Sequence, residues 1–179
     1  VMGAVGSPSP ADVPAALPRV ETLSRRSFGW TLFWTGLLGI GYEVLVIRVL
    51  SQVLENTVYT FAAMLAVYLL GTAAGAALYQ RFAGRDRFRP VLGALLRAVS
   101  LGCVLGLFVL SFADQLKTAA DSVLGASVLG SIAAEMAVSA SVFALPTVLM
   151  GALFSHLAQA ARDRGGFGYG LATNTLGAA

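Results

Sequence analysis

Residues 28–50 read FGWTLFWTGLLGIGYEVLVIRVL, a run in which Glu43 and Arg48 are the charged side chains. A helix of this length at ~1.5 Å per residue spans about 34 Å, enough to cross a hydrocarbon core of ~30 Å. Trp30 and Trp34 lie toward its start, where indole rings favour the membrane–water interface. Arg25-Arg26 precede it directly, so the run reads as a membrane span whose first end faces the cytoplasm. A cleaved leader is a poor reading, because the basic pair follows a polar stretch and the apolar run is full length.

The pattern repeats along the chain. A second apolar span covers about 57–79 and leads to a short segment holding Arg81, Arg85, Arg87 and Arg89. Pro90 opens a third span, ending near 112, and a polar turn with Asp114, Lys117 and Asp121 follows. The last apolar region, 122–161, is closed by Arg162 and Arg164. Composition agrees: 57% of the 179 residues are hydrophobic and 12% charged, at a mean hydropathy of +0.78. A soluble domain carries about a quarter charged residues, and so few could not cover its surface. The expected fold is all-α, a polytopic bundle of about four transmembrane helices.

Arginine placement sets the expected orientation. The tail holds Arg19, Arg25 and Arg26, the segment after the second span holds four more, and Arg162 and Arg164 close the last apolar region. Positive residues stay on the cytoplasmic side, which gives a cytoplasmic N-terminus and an even number of crossings. About forty helical residues over 122–161 would be ~60 Å long, and Pro146 removes a backbone donor within them. Two full crossings would put Arg162 and Arg164 outside. The expectation is therefore one crossing over about 123–148, then a short interfacial helix. Residues 1–27 read as a flexible cytoplasmic tail and 28–161 as the bundle. Residues 162–179 read as a Gly-rich cytoplasmic segment leading into the start of a further helix, where the native chain either continues or stops in a stub.

Lipid supplies no hydrophobic drive between helices, so small residues should mark the contacts. Gly36 and Gly39 in the first span, Gly71 and Gly75 in the second, and Gly102 and Gly106 in the third are the candidates. Ionisable side chains inside spans carry more information, since each costs about 2.5–3.5 kcal/mol at a lipid-exposed helix centre. Glu43, Arg48, Arg97 and Glu135 should therefore face the interior. They form either structural pairs, Glu43 with Arg48 and Glu135 with Arg97, or a polar ligand site. Glu135, read as lying at mid-depth, is the foremost candidate for such a site. His156 reads as an interfacial hydrogen-bonding residue, with proton shuttle or metal ligand as the alternative. Asn174 and Thr175 either cap a helix or donate into a site.

Several classes are disfavoured. Arginine gathers at span ends rather than along a face with interleaved aromatics, which argues against nucleic acid. One histidine and a lone Cys103 argue against a zinc or haem centre and allow no disulfide framework. No phosphate loop, nucleophile elbow or HExxH is present, so no catalytic residue, metal or cofactor is expected.

Four stretches, taken together, resemble one family. They are 39–50 (GIGYEVLVIRVL) with Asn56-Thr57-Val58-Tyr59, Gly71-Thr72-Ala73-Ala74-Gly75, 145–152 (LPTVLMGA), and Asn174-Thr175-Leu176-Gly177-Ala178. The order and content are similar to the membrane half of bacterial spermidine-synthase-like membrane proteins. The chain departs from that pattern at Ser155-His156, where a proline is usual, and at Leu171, where a tyrosine is usual. The resemblance implies a membrane module that continues into more helices, a cytoplasmic aminopropyltransferase-like domain, or both. It also implies that Glu43 and Glu135 are carboxylates for a polyamine. The leading functional expectation is a non-catalytic membrane subunit, structural or accessory, in the inner membrane of a bacterium, with lipid and other membrane subunits as partners. The alternatives are the membrane module of a spermidine-synthase-like protein, anchoring an enzyme domain or binding polyamine, and a small oligomeric transporter.

Overall fold

The computed structural model describes residues 24–54, 58–82, 88–124, 127–163 and 166–179. The tail to residue 23, with Arg19, lies outside the described residues, as do Asn56-Thr57, Arg85, Arg87 and Arg164. Six helices and no strand occur among the described residues: α1 (Arg25–Val53), α2 (Val58–Phe82), α3 (Phe88–Leu110), α4 (Ala113–Leu124), α5 (Val128–Asp163) and α6 (Phe167–Ala178). α1, α2, α3 and α5 are long and apolar enough to cross a membrane. Large apolar side chains such as Leu70, 67% exposed, and Leu101, 71% exposed, cover their outer faces, as lipid contact requires. The protein is an all-α, multi-pass membrane helix bundle.

Local chemistry explains the helix limits. Ser24 caps α1, its Oγ accepting the Ser27 N–H at 3.2 Å, so one of the four unpaired first-turn donors is satisfied. Pro90 sits in the first turn of α3, where its missing N–H costs nothing. The segment read as a polar turn is instead the helix α4. Ala113, Leu116 and Ala120 face inward on it and join the core built by α1 and α5. Lys117 and Asp121, one turn apart, are joined at 2.7 Å. At 12 residues, or about 18 Å, α4 is too short to cross.

The last apolar region also differs from expectation. α5 is one helix of 36 residues, about 54 Å long, rather than a crossing to 148 plus a separate piece. Pro146 lies inside it. The Val142 carbonyl that proline leaves without its i+4 donor is reached by the Tyr42 hydroxyl of α1, at 3.5 Å. Room for that hydroxyl comes from α3: a Cβ on Gly106 would strike it and would crowd the Val142 carbonyl and the Pro146 ring. Three helices thus meet at the proline, and the break expected there does not occur.

α5 is the hub, packed on α1, α2, α3, α4 and α6. It runs parallel to α2, since Thr60 meets Glu135, Gly71 meets Thr147 and Tyr79 meets His156. Backbones approach closely there. A Cβ on Gly75 would strike the Val148 carbonyl, and one on Gly151 would strike the Thr72 carbonyl. The α1–α6 pair is also parallel, since Gly29 meets Tyr169 and Gly36 meets the Asn174 carbonyl, and it is built the same way, with Gly177 against the Phe33 carbonyl. Gly102 lies against Leu149. Gly39 is the exception among the candidate packing glycines: nothing stands within 4 Å of where its Cβ would be.

Two glycine variants separate contact from composition. Gly75→Val should lower unfolding stability in mild detergent by about 1–3 kcal/mol, as overpacking does. Gly39→Ala should leave it unchanged or raise it, because helix propensity improves and nothing is displaced. Equal losses in thermal unfolding would refute the assignment of these two positions.

Candidate functional site

The seam between α2 and α5 gathers the buried polar side chains. Glu135 is 2% exposed and sits two turns into α5. Its Oε2 accepts the Thr60 hydroxyl of α2 at 2.9 Å. One turn further along α5, on the same face, Ser139 is fully buried. Its Oγ has no hydrogen-bond partner among the described residues. Near the centre the Thr147 hydroxyl bonds back to the Phe143 carbonyl at 2.8 Å, which leaves its side chain compact enough to fill the gap left by Gly71. At the far end His156, 5% exposed, shares a hydrogen bond between its Nδ1 and the Tyr79 hydroxyl at 2.6 Å, with the rings edge to face.

Depth follows from these positions. Thr60 and Tyr79 are separated by about 28 Å of helix, close to the ~30 Å of a hydrocarbon core. The two polar contacts therefore hold the two ends of the seam, with the glycine contacts between them. Glu135 lies toward one end of α5, and Pro146, not Glu135, occupies its middle. The mid-depth reading of Glu135 assumed a helix ending at 148; the continuous α5 moves the centre by about three turns.

The four ionisable candidates do not converge. Half-buried Glu43 interacts with the Tyr68 hydroxyl of α2, and Arg48 is exposed. No ion pair joins Glu43 to Arg48, or Glu135 to Arg97, among the described residues. Exposed Arg97 turns back along its own helix, its Nε donating to the Gly93 carbonyl at 3.1 Å. That direction is the usual one for a long helical side chain, and it carries the charge toward the start of α3, away from the apolar middle. Asn174 and Thr175 lie within α6, whose cap position is Gly166, so neither is a capping residue.

Sequence reasoning passed over Thr60, Tyr68, Tyr79 and Ser139. The one available signal was spacing, since Glu135 and Ser139 are four apart in an apolar helix. Their partners on α2 carry no such mark. No group of three or more His, Cys, Asp or Glu side chains suited to a metal gathers among the described residues. The seam is an oxygen-rich lining around one carboxylate, chemistry that suits hydrogen bonding and cation recognition. Comparison with protein-family models, with curated proteins and with solved structures returned no match.

A double-mutant cycle on Thr60→Val and Glu135→Gln should give a coupling of about 0.5–1.7 kcal/mol in detergent unfolding, the range of interhelical hydrogen bonds in membranes. Strict additivity would mean that this contact does not hold the seam. Tyr79→Phe should cost about 1 kcal/mol by loss of its bond to His156.

Proposed function

We propose that this chain is a non-catalytic integral membrane subunit, structural or accessory, that acts through its helix faces within a larger membrane assembly. The observation that supports this reading is the use to which the interior polar groups are put. Glu135 reaches Thr60, Glu43 reaches Tyr68 and His156 reaches Tyr79, and each contact joins α2 to another helix. Arg48 and Arg97 are exposed on outer faces. The reading places the protein in the inner membrane of a bacterium. The ends carrying Arg25, Arg26, Arg81 and Arg162 then face the cytoplasm, as positive residues do.

A second reading rests on Glu135 and Ser139. A carboxylate 2% exposed, with a buried hydroxyl on the next turn that has no hydrogen-bond partner among the described residues, offers oxygen ligands to an ammonium group. This favours the membrane module of a spermidine-synthase-like protein that binds polyamine or anchors an aminopropyltransferase domain.

Purification from native membranes in mild detergent, with mass analysis of the whole particle, tests the first reading. Other membrane proteins should co-purify in fixed stoichiometry; a particle containing copies of this chain alone would overturn it. For the second reading, spermidine binding to the purified protein should fall at least tenfold in Glu135→Gln while the helical circular dichroism signal is retained. Unchanged binding by that variant would remove Glu135 from any ligand site.

A further inference from the structure

We propose that the groove between α1, α5 and α6 binds an anionic phospholipid, with an acyl chain laid along the groove and the phosphate between Arg25 and Arg162. The cleft is a shallow, open groove lined by Leu32, Phe154, Leu157, Ala158, Phe167 and Leu171, together with Ala161 and Gly170. Every lining residue carries an apolar side chain or none. An open apolar groove on a lipid-facing surface can seat a hydrocarbon chain along it without enclosing it.

The cleft opens at the basic end of the bundle. The first turns of α1 and the last turns of α5 meet there, as Phe28 and Leu32 packed with Leu157, Ala160 and Ala161 show. Arg25 lies seven residues before Leu32, on the same face of α1. Its guanidinium is held over the Tyr169 ring at 5.0 Å, and Tyr169 adjoins the cleft residue Gly170. Stacking fixes the plane of the group and leaves its edge donors free for a phosphate. Arg162 lies four residues after Ala158, one turn above it on the cleft side of α5. Both arginines are exposed. Exposed Arg26 and Arg81 add positive charge at this end, against Asp163 beside Arg162. Toward the opposite end stand Asp114, the Lys117–Asp121 pair and exposed Arg48, whose charges balance. Among the described residues an excess of positive charge stands at one end of the bundle, where an apolar groove for the chain begins. A basic pocket between transmembrane helices is a recognised form of headgroup site.

The experiment is native mass spectrometry of the full chain from mild detergent, with phosphatidylglycerol or phosphatidylcholine of identical acyl chains added. The wild-type protein should retain one phosphatidylglycerol per chain, with at least a tenfold preference over phosphatidylcholine. Arg25→Gln with Arg162→Gln should remove the preference, while Arg26→Gln with Arg81→Gln keeps it. Ala158→Phe should fill the cleft and abolish retention of both lipids. The arginines are exposed, so those variants retain the fold even where Ala158→Phe does not, and thermal unfolding checks each. Equal retention of the two lipids, or a preference lost equally with either arginine pair, would overturn the site. Displacement of the lipid by millimolar inorganic phosphate would show an anion site without need of a chain, and would overturn it too.

Discussion

The contact of α2 with α5 is the constraint from which the rest of the bundle follows. In lipid, apolar side chains gain nothing by leaving their solvent, so helices associate only where packing is closer than lipid can achieve or where polar groups find partners. Gly71 and Gly75 on one side, and Gly151 on the other, let two backbones meet at the Thr147, Val148 and Thr72 positions. No side chain larger than hydrogen fits those points. With α2 seated, α5 presents its remaining faces to α1, α3 and α4, and the bundle closes around it.

Polar chemistry complements this packing at three levels. Glu135 with Thr60 and His156 with Tyr79 hold the two ends of the seam. In the middle, Pro146 would leave a bare carbonyl in the membrane interior, where an unsatisfied group costs several kcal/mol. Tyr42 covers that carbonyl from α1, and Gly106 on α3 makes room for it. A tyrosine, a glycine and a proline, far apart in the chain, thus serve a single backbone group. Ser139 stands apart as a buried hydroxyl without a hydrogen-bond partner among the described residues.

The helix directions also organise charge. Because α2 and α5 run parallel while α1 and α3 oppose them, Arg25, Arg26, Arg81 and Arg162 gather at one end. α4 closes the other end with Asp114, Lys117 and Asp121. The arginine pattern of the sequence is local to each loop. Only the packing makes it a single basic face beside an apolar cleft.

Membrane spanning was legible in the sequence because hydropathy and length are sums over consecutive residues and need no knowledge of neighbours. The stretch 28–50, the Arg81–Arg89 segment and the apolar run to 161 gave the number of crossings on that basis. α4 was legible in principle, since Ala113, Leu116 and Ala120 repeat at helical spacing, but its charges masked the pattern. The continuity of α5 was not, because the donor that tolerates Pro146 comes from a tyrosine about a hundred residues earlier. Nor could spacing tell Gly39, which touches nothing, from Gly36, which meets the Asn174 carbonyl. The same holds for Glu43 and Glu135, which reach hydroxyls on α2 and pair with neither Arg48 nor Arg97. Such distinctions depend on the register and direction of one helix against another, and those are settled only when backbones come within contact distance.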